Sequence, residues 1–251
     1  MAHNTDEYPY GIIAGGMIDG HIKVWDVAKL VHGTSEDGSD ALLASILQHQ
    51  GSVGGLQFNP HDDMCYLLAS GGADGEVYII SLEKPDEPNV FSPAPPPNTI
   101  HHTADITKLA WNSQVSHILA SCAQNGSCIV WDLKGKKAWC ELKEPLGGSF
   151  TDICWNPDQG LNLVTASGDD KNPVLKLWDL RSSTSLPLAT LSAHTQGVLS
   201  VSWCPTDASL LLSCGKDNKT FLWDLYQMQP IYELPSASAA QEEGDGGGGD
   251  F

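Results

Sequence analysis

Residues Leu109–Leu133 read Leu-Ala-Trp-Asn-Ser-Gln-Val-Ser-His-Ile-Leu-Ala-Ser-Cys-Ala-Gln-Asn-Gly-Ser-Cys-Ile-Val-Trp-Asp-Leu. Polar turns separate three short apolar runs: Ile106–Trp111, His117–Ser121 and Ser127–Leu133. Each run has strand length and β-branched or aromatic content, and none has helical period. Asn125-Gly126, between the second and third runs, supplies the positive φ angles of a tight hairpin turn. The unit closes on Trp131-Asp132.

Working outward, the same ending recurs at Trp25-Asp26, Trp178-Asp179 and Trp223-Asp224. Trp131, Trp178 and Trp223 are spaced at the length of one blade of a WD-repeat β-propeller. The longer gap from Trp25 to Trp131 holds a degenerate unit, Ser70–Ser81, with Ile80 in the Trp position. A polar turn residue stands six before that position in four units: Asp19, Asp74, Asn125 and Asp217. The fourth unit stretches its turn through Asp169-Asp170-Lys171-Asn172-Pro173. The pattern predicts an all-β WD-repeat propeller of about five blade units, four full and the first lacking its innermost strand.

One blade cannot bury both of its faces, and radial stacking covers them, so strands such as Val174–Trp178 read apolar on both sides. The Trp fills space between blades. Within a unit, a His before the first strand, a Ser in the second, the turn acid and the Trp can form a hydrogen-bonded chain. His194, Ser213, Asp217 and Trp223 fit fully, and His102, Ser121, Asn125 and Trp131 less completely.

The propeller is expected over residues 9–235, in units of about 9–48, 49–91, 101–142, 149–191 and 194–234. Residues 1–8 read as a frayed N-terminus and 236–251 as a disordered acidic, Gly-rich tail. Residues 31–40 read as a polar loop, and Lys84–Thr103, with Ser92–Pro97 inside it, as extended or polyproline-like chain. Either five units close a ring, or they belong to a larger one. In the second case the outer faces of the first and last units are exposed and apolar.

A net charge of −18 opposes binding to nucleic acid or to anionic lipid. No signal peptide and no apolar run of membrane-spanning length is present, so a cytoplasmic protein without direct membrane insertion is expected. The seven Cys show no zinc spacing, and Cys122, Cys128, Cys154, Cys204 and Cys214 read as reduced core residues in or beside strands. No cofactor motif occurs.

Further stretches carry a resemblance. Ala110–Ser121 resembles the propeller of the large outer-layer subunit of the COPII vesicle coat. So, in order, do Ile13–Gly16, the Pro96-Pro97 loop, Ala166–Asp170, the Pro173 run into Leu177–Arg181, Leu210–Asp217 and Tyr232–Pro235. The match spans roughly 11–235. It implies a structural scaffold for endoplasmic-reticulum-to-Golgi vesicle transport, peripheral on the endoplasmic reticulum membrane and on vesicles. In that family a seven-bladed propeller meets copies of itself at cage vertices, and a further blade inserts into a small propeller partner. Against the family pattern this sequence corresponds to the part from within the second blade to before the seventh. It has no counterpart of the insertion blade, the solenoid or the inner-coat-binding region.

Sharper readings compete. Repeated Ser, His and Asp invite a nucleophilic triad, but the intra-blade hydrogen-bond chain needs the same residues and explains the repetition. His101-His102 lacks ligand partners at metal spacing. Ser92–Pro97 suits a connecting loop better than a docking peptide, and Glu242–Asp250 a solvated end. Trp178-Asp179-Leu180-Arg181 resembles the motif by which some propellers dock on a cullin ubiquitin-ligase adaptor. Arg181 is therefore a candidate adaptor contact, and a ligase substrate receptor is the alternative function.

Overall fold

A computed structural model describes residues 8–33, 39–95, 100–144 and 148–235. Its strands form five separate antiparallel sheets, one per blade. Blade one holds β1 (Ile12–Gly16), β2 (His21–Asp26) and β3 (Leu42–Leu47). Blade two holds β4 (Val53–Phe58), β5 (Leu67–Gly72), β6 (Val77–Ser81) and β7 (Asn89–Phe91). Blade three holds β8 (Ile106–Trp111), β9 (Ile118–Ala123), β10 (Ser127–Asp132) and β11 (Lys137–Lys143). Blade four holds β12 (Phe150–Trp155), β13 (Asn162–Ser167), β14 (Val174–Asp179) and β15 (Ala189–Ser192). Blade five holds β16 (Val198–Trp203), β17 (Leu210–Gly215), β18 (Thr220–Asp224) and β19 (Gln229–Leu234).

Side chains alternate across each strand, so cross-strand rows belong to one face or the other. One face of each blade carries a small or aliphatic row. These rows are Ala14–Val24–Ala44, Ala69–Ile79–Phe91, Ala120–Val130–Cys140 and Val164–Leu177–Ala189. The opposite face of the next blade carries a bulkier row: Leu68–Ile80–Val90, Leu119–Trp131–Ala138, Leu163–Trp178 and Leu211–Trp223–Pro230. Each small row packs under the bulky row of its neighbour, and the four resulting clusters are the core. The inner strands approach closely. Thr107 and Thr151 donate across to the Phe150 and Val198 carbonyls at 2.7 Å each. Gly54 occupies the same place in β4, where a Cβ would come within 2.3 Å of the Ile106 carbonyl oxygen.

The arc is open. Among the described residues no strand of blade five packs along blade one. The first and last blades each keep one apolar row exposed, as expected for part of a larger ring. Gly126 has φ 72° but Asn125 is not among the positive-φ residues, so the turn forms with the glycine alone in the left-handed region rather than both residues.

Three local readings change. Residues 27–32 form a short helix, α1, rather than leading straight into a loop. Asp26 caps it, its Oδ1 accepting from the N–H of Ala28 at 2.8 Å and of Lys29 at 3.4 Å. Tyr8, assigned to the frayed N-terminus, is buried in the core between blades one and two; residues 1–7 lie outside the described residues, as do 34–38 of the expected loop. The stretch Lys84–Thr103 contains the short outer strand β7, because Ile79–Ser81 offers it a free edge; residues 96–99 of its proline run lie outside the described part. The tail, residues 236–251, also lies outside it.

Candidate functional site

The recurring polar residues assemble in blade five. His194 Nδ1 donates to Asp217 at 3.1 Å, and Ser213 Oγ lies 2.8 Å from His194 Nε2. Trp223 Nε1 donates to the same Ser213 oxygen at 2.8 Å. Asp217 also accepts from the N–H groups of Thr195 and Lys219. Burial pushes its pKa up, but the Thr195, His194 and Lys219 hydrogen bonds outweigh that and hold it below the usual carboxylate value.

Blade three uses a longer relay. Trp131 Nε1 donates to Ser121 Oγ at 2.8 Å, and Ser121 Oγ lies 2.6 Å from His102 Nε2. His102 Nδ1 meets Ser127 Oγ at 2.8 Å, and Ser127 donates on to Asn125 at 2.8 Å. Asn125 does not reach His102 itself; Ser127 stands between them. With no carboxylate beside it, buried His102 has its pKa depressed to about 4, and the neighbouring His101 pushes the same way.

Two further members escaped the sequence reading. His49 and Ser70 join Asp74 in blade two, at 2.9 Å from His49 Nε2 to Ser70 Oγ and 3.0 Å from Nδ1 to Asp74. Their spacing, 25 residues from His to Asp against 23 in blade five, was visible, but the Ile80 substitution removed the Trp that advertises a relay. Tyr78 packs edge-on against His49 instead. In blade four Thr165 accepts from Trp178 Nε1 at 3.0 Å. Its partner lies 13 positions on rather than 10, because the Asp169–Pro173 turn is longer. In place of a His–Asp pair this blade buries Lys176 against Glu144, at 2.6 Å. Glu144 follows β11 and so reaches in from blade three.

Blade one differs again. Exposed Asp19 pairs with the neighbouring half-buried His21 rather than with a buried relay. Trp25 is half-buried. Asp132, Asp179 and Asp224 serve the turns that follow their strands, accepting from the N–H groups of Gly135, Arg181 and Tyr226. Arg181 folds back onto Asp179 with two bonds, Nε at 3.0 Å and Nη2 at 3.3 Å.

Three of the family-like stretches, Ala110–Ser121, Ala166–Asp170 and Leu210–Asp217, turn out to stitch blades together. Asn112 Nδ2 donates to the Gly160 carbonyl at 2.6 Å, Ser113 to the Asn156 carbonyl at 2.5 Å, and Gln114 to the Pro157 carbonyl. Asn59 and His61 make the matching bonds from blade two to Ser116 and Asn112. Lys216 donates to the Gly168 carbonyl and to Asp170. Near the ring centre buried Asp152 gathers Lys108, Ser200 and the Val201 N–H from the two adjacent blades.

Chemically, Ser213–His194–Asp217 has the order of a triad, but Ser213 is buried and its oxygen already accepts the Trp223 N–H. The relay therefore locks a Trp in place. All seven cysteines are unpaired thiols. Cys122 and Cys128 are core residues as expected; Cys154, Cys204 and Cys214 are only partly buried. Among the described residues no group of three or more His, Cys, Asp and Glu side chains could hold a metal ion.

The WD domain, G-beta repeat family matches residues 41–81, 95–132 and 185–224. The protein transport protein SEC31 of Dictyostelium discoideum is 38% identical over 92% of this chain. Sec31B of Mus musculus is 38% identical over 91%, and Sec31A of Danio rerio 37% over 92%. This chain is a WD-repeat propeller of the Sec31 family. It spans 17%, 19% and 18% of the length of those relatives. A solved structure of the COPII outer coat vertex on membranes superposes with a TM-score of 0.74 and 31% identity, over 90% of this chain and 58% of that one. The COPII coat assembled on membranes gives the same score and identity over 32% of its chain. The repeat model passes over β1 and β2 of blade one and β12–β14 of blade four, the two blades whose relays lack the His.

Proposed function

We propose that this Sec31-family propeller is a structural scaffold element of the COPII outer coat in endoplasmic-reticulum-to-Golgi transport. It acts as a rigid body through protein–protein contacts of its loops and blade edges. Its partners are other coat subunits: copies at cage vertices and the small propeller subunit of the outer coat. It is cytoplasmic and peripheral on endoplasmic reticulum membrane and vesicles, and it catalyses no reaction. The single observation that carries this is the 31% identity and TM-score of 0.74 to the outer coat vertex across nine-tenths of the chain.

The test is reconstitution of the outer coat on inner-coat-covered liposomes with the tagged chain added. Incorporation into the lattice, together with recovery of outer-coat subunits on pull-down, is expected. Exclusion from the coat, with recovery of a cullin adaptor that is lost on Arg181→Ala, would transfer the reading to the ligase-receptor alternative. The bidentate hold of Asp179 on Arg181 gives that residue a local role in the turn, and the relatives named above are transport proteins.

A further inference from the structure

Two internal seams share one exchange of hydrogen bonds, and the seam between blades four and five breaks it. At the end of an inner strand an indole donates to the preceding blade: Trp111 Nε1 to the Gln57 carbonyl at 3.0 Å, and Trp155 Nε1 to the Ala110 carbonyl at 2.9 Å. An asparagine of the preceding blade donates in return, Asn59 Nδ2 to the Ser116 carbonyl at 2.8 Å and Asn112 Nδ2 to the Gly160 carbonyl at 2.6 Å. Trp203 departs from this, and its Nε1 donates to the Ala208 carbonyl of its own loop at 2.8 Å. Ala208 holds the place of Ser116 and Gly160. Each stands two residues before the carbonyl that closes its loop, that of Ile118, Asn162 or Leu210. The acceptor that corresponds to Asn156 is therefore already occupied.

Asn156 is 5% exposed, and its Oδ1 accepts from the N–H groups of Asp158 and Gln159 at 2.8 and 2.9 Å. Those bonds settle which end of the amide is nitrogen, and Nδ2 has no partner among the described residues. Asn156 and Trp203 line a cavity of about 170 Å³ at the seam of two four-stranded blades. Asn162 lines it too, and its Oδ1 is buried and unpartnered among the described residues. The remaining walls include Leu177, Leu225 and Tyr226, the last 88% exposed. A cavity of about 150 Å³ takes one benzene-sized group. One unpaired donor and one unpaired acceptor thus share a space of side-chain size, and leaving buried polar atoms unpaired is costly.

We infer that this cavity is a docking notch for an extended segment of another polypeptide. A main-chain amide of the segment supplies both missing partners: its carbonyl accepts from Asn156 Nδ2, and its N–H donates to Asn162 Oδ1. One apolar side chain of about leucine size lies against Leu177, Trp203 and Leu225, with Tyr226 at the rim. Main-chain carbonyls are what the equivalent asparagines bind at the other two seams, so the notch takes from a partner what the fold supplies elsewhere. Basic residues flank that side chain. Asp158 and Asp207 stand exposed in the two loops that border the cavity, and neither 156–160 nor 204–209 contains Lys or Arg. Arg181, after β14, is paired with Asp179. With one amide and one side chain engaged, a lone segment binds weakly and gains strength from further contacts of the same partner. The notch is independent of which assembly the propeller serves.

The probe is the peptide acetyl-Lys-Leu-Lys-amide, titrated to low-millimolar concentration into the isotope-labelled chain and followed in nitrogen–proton correlation spectra. The Asn156 side-chain amide and Trp203 indole signals should move together and saturate. Those of Asn112 and Trp155, already bonded across their seam, should stay in place. Acetyl-Lys-Ala-Lys-amide should bind at least about tenfold more weakly, because it leaves the apolar walls uncovered. Acetyl-Glu-Leu-Glu-amide should also bind more weakly, through repulsion by Asp158 and Asp207. Trp203→Phe keeps an aromatic wall but releases the Ala208 carbonyl, which Asn156 Nδ2 then takes as its equivalents do. Binding should fall about tenfold, the loss of one amide hydrogen bond. Tyr226→Ala, at an exposed position, should weaken binding without touching the core and keeps the test decisive if Trp203→Phe does not fold; cooperative thermal unfolding establishes the fold of each variant. No saturable shift, equal shifts at Asn112 and Asn156, equal binding of the three peptides, or undiminished binding by the folded variants overturns the inference and leaves a notch that holds water only.

Discussion

Glu144 and Lys176 give the most direct test of how successive blades are held. Their side chains are 0% and 9% exposed, and the 2.6 Å contact crosses from blade three to blade four. Removing one partner strands the other as a buried charge, which costs about 3–5 kcal/mol. Glu144→Gln leaves the ammonium facing a neutral amide and belongs at the lower end, about 3 kcal/mol. Lys176→Met belongs at the upper end, about 5 kcal/mol, because Glu144 Oε2 has no hydrogen-bond partner among the described residues and Oε1 would lose its own. Glu144→Leu combined with Lys176→Met removes both charges and the orphan oxygen. That double variant should lie within about 1 kcal/mol of wild type, or above it. The assay is urea unfolding at neutral pH, read by tryptophan fluorescence and far-UV circular dichroism. With a urea slope of about 2 kcal/mol/M, Lys176→Met lowers the midpoint by about 2.5 M at constant slope. Single variants that shift stability by less than about 0.5 kcal/mol, the usual range of surface changes, would refute the buried-pair reasoning. So would a double variant no better than the worse single.

Two other predictions follow from the same geometry. His102 is neutral in the fold, with a pKa near 4 against an ordinary 6.5. The unfolded chain therefore binds the extra proton first, and the stabilising contribution of His102 is complete above pH 6.5 and lost as pH falls toward 4. At 1.36 kcal/mol per unit this is about 3 kcal/mol. His102→Gln should flatten the urea midpoint between pH 7 and 4.5, and an unchanged slope would discard this account. Trp178→Ala should cost about 3–5 kcal/mol, because the ring is fully buried between two blades. Trp25→Ala should cost clearly less, since no blade covers its row, and equal losses in thermal unfolding would contradict the open arc.

The repeat, the strand runs and the Ser213-centred relay could be read directly, because each depends on residue types at fixed spacing. The inner strand Ile106–Trp111 matches the structure end to end. Other boundaries move by one or two residues, as when β9 runs from Ile118 to Ala123 rather than from His117 to Ser121. Glu144–Lys176 was invisible. A Lys inside a strand reads as solvent-facing until the neighbouring blade is known to place a carboxylate over it. Ser127 was missed because it enters the relay through its own turn, and β7 because its three residues lie beside a proline run. The stretch Asn112–Gln114 could be recognised as distinctive without its reason being legible. Its partners, Gly160, Asn156 and Pro157, lie more than forty positions away.

That stitching bears on how a scaffold element, the role proposed above, does its work. A repeat array is stable through nearest-neighbour interfaces. Here the interfaces between blades three and four and between blades four and five are each fixed three times: by a small row under a bulky one, by a threonine bond between inner strands, and by loop residues such as Asn112 and Lys216. The first fixes which face meets which, since two Trp rows would collide and two small rows would leave a void. The others fix the angle between blades, because a hydrogen bond to a specified carbonyl tolerates little sliding. A scaffold needs both, for a lattice contact made at one blade holds its geometry at another only if the blades between cannot rotate. The buried polar groups contribute in the same sense. Ser213 and Ser121 each hold one tryptophan nitrogen in one place, and a satisfied buried relay admits one arrangement where an all-apolar interface admits several. The chemistry that resembles a catalytic triad is thus spent on setting the orientation of blades, and the exposed end rows are where that repeated geometry meets whatever comes next.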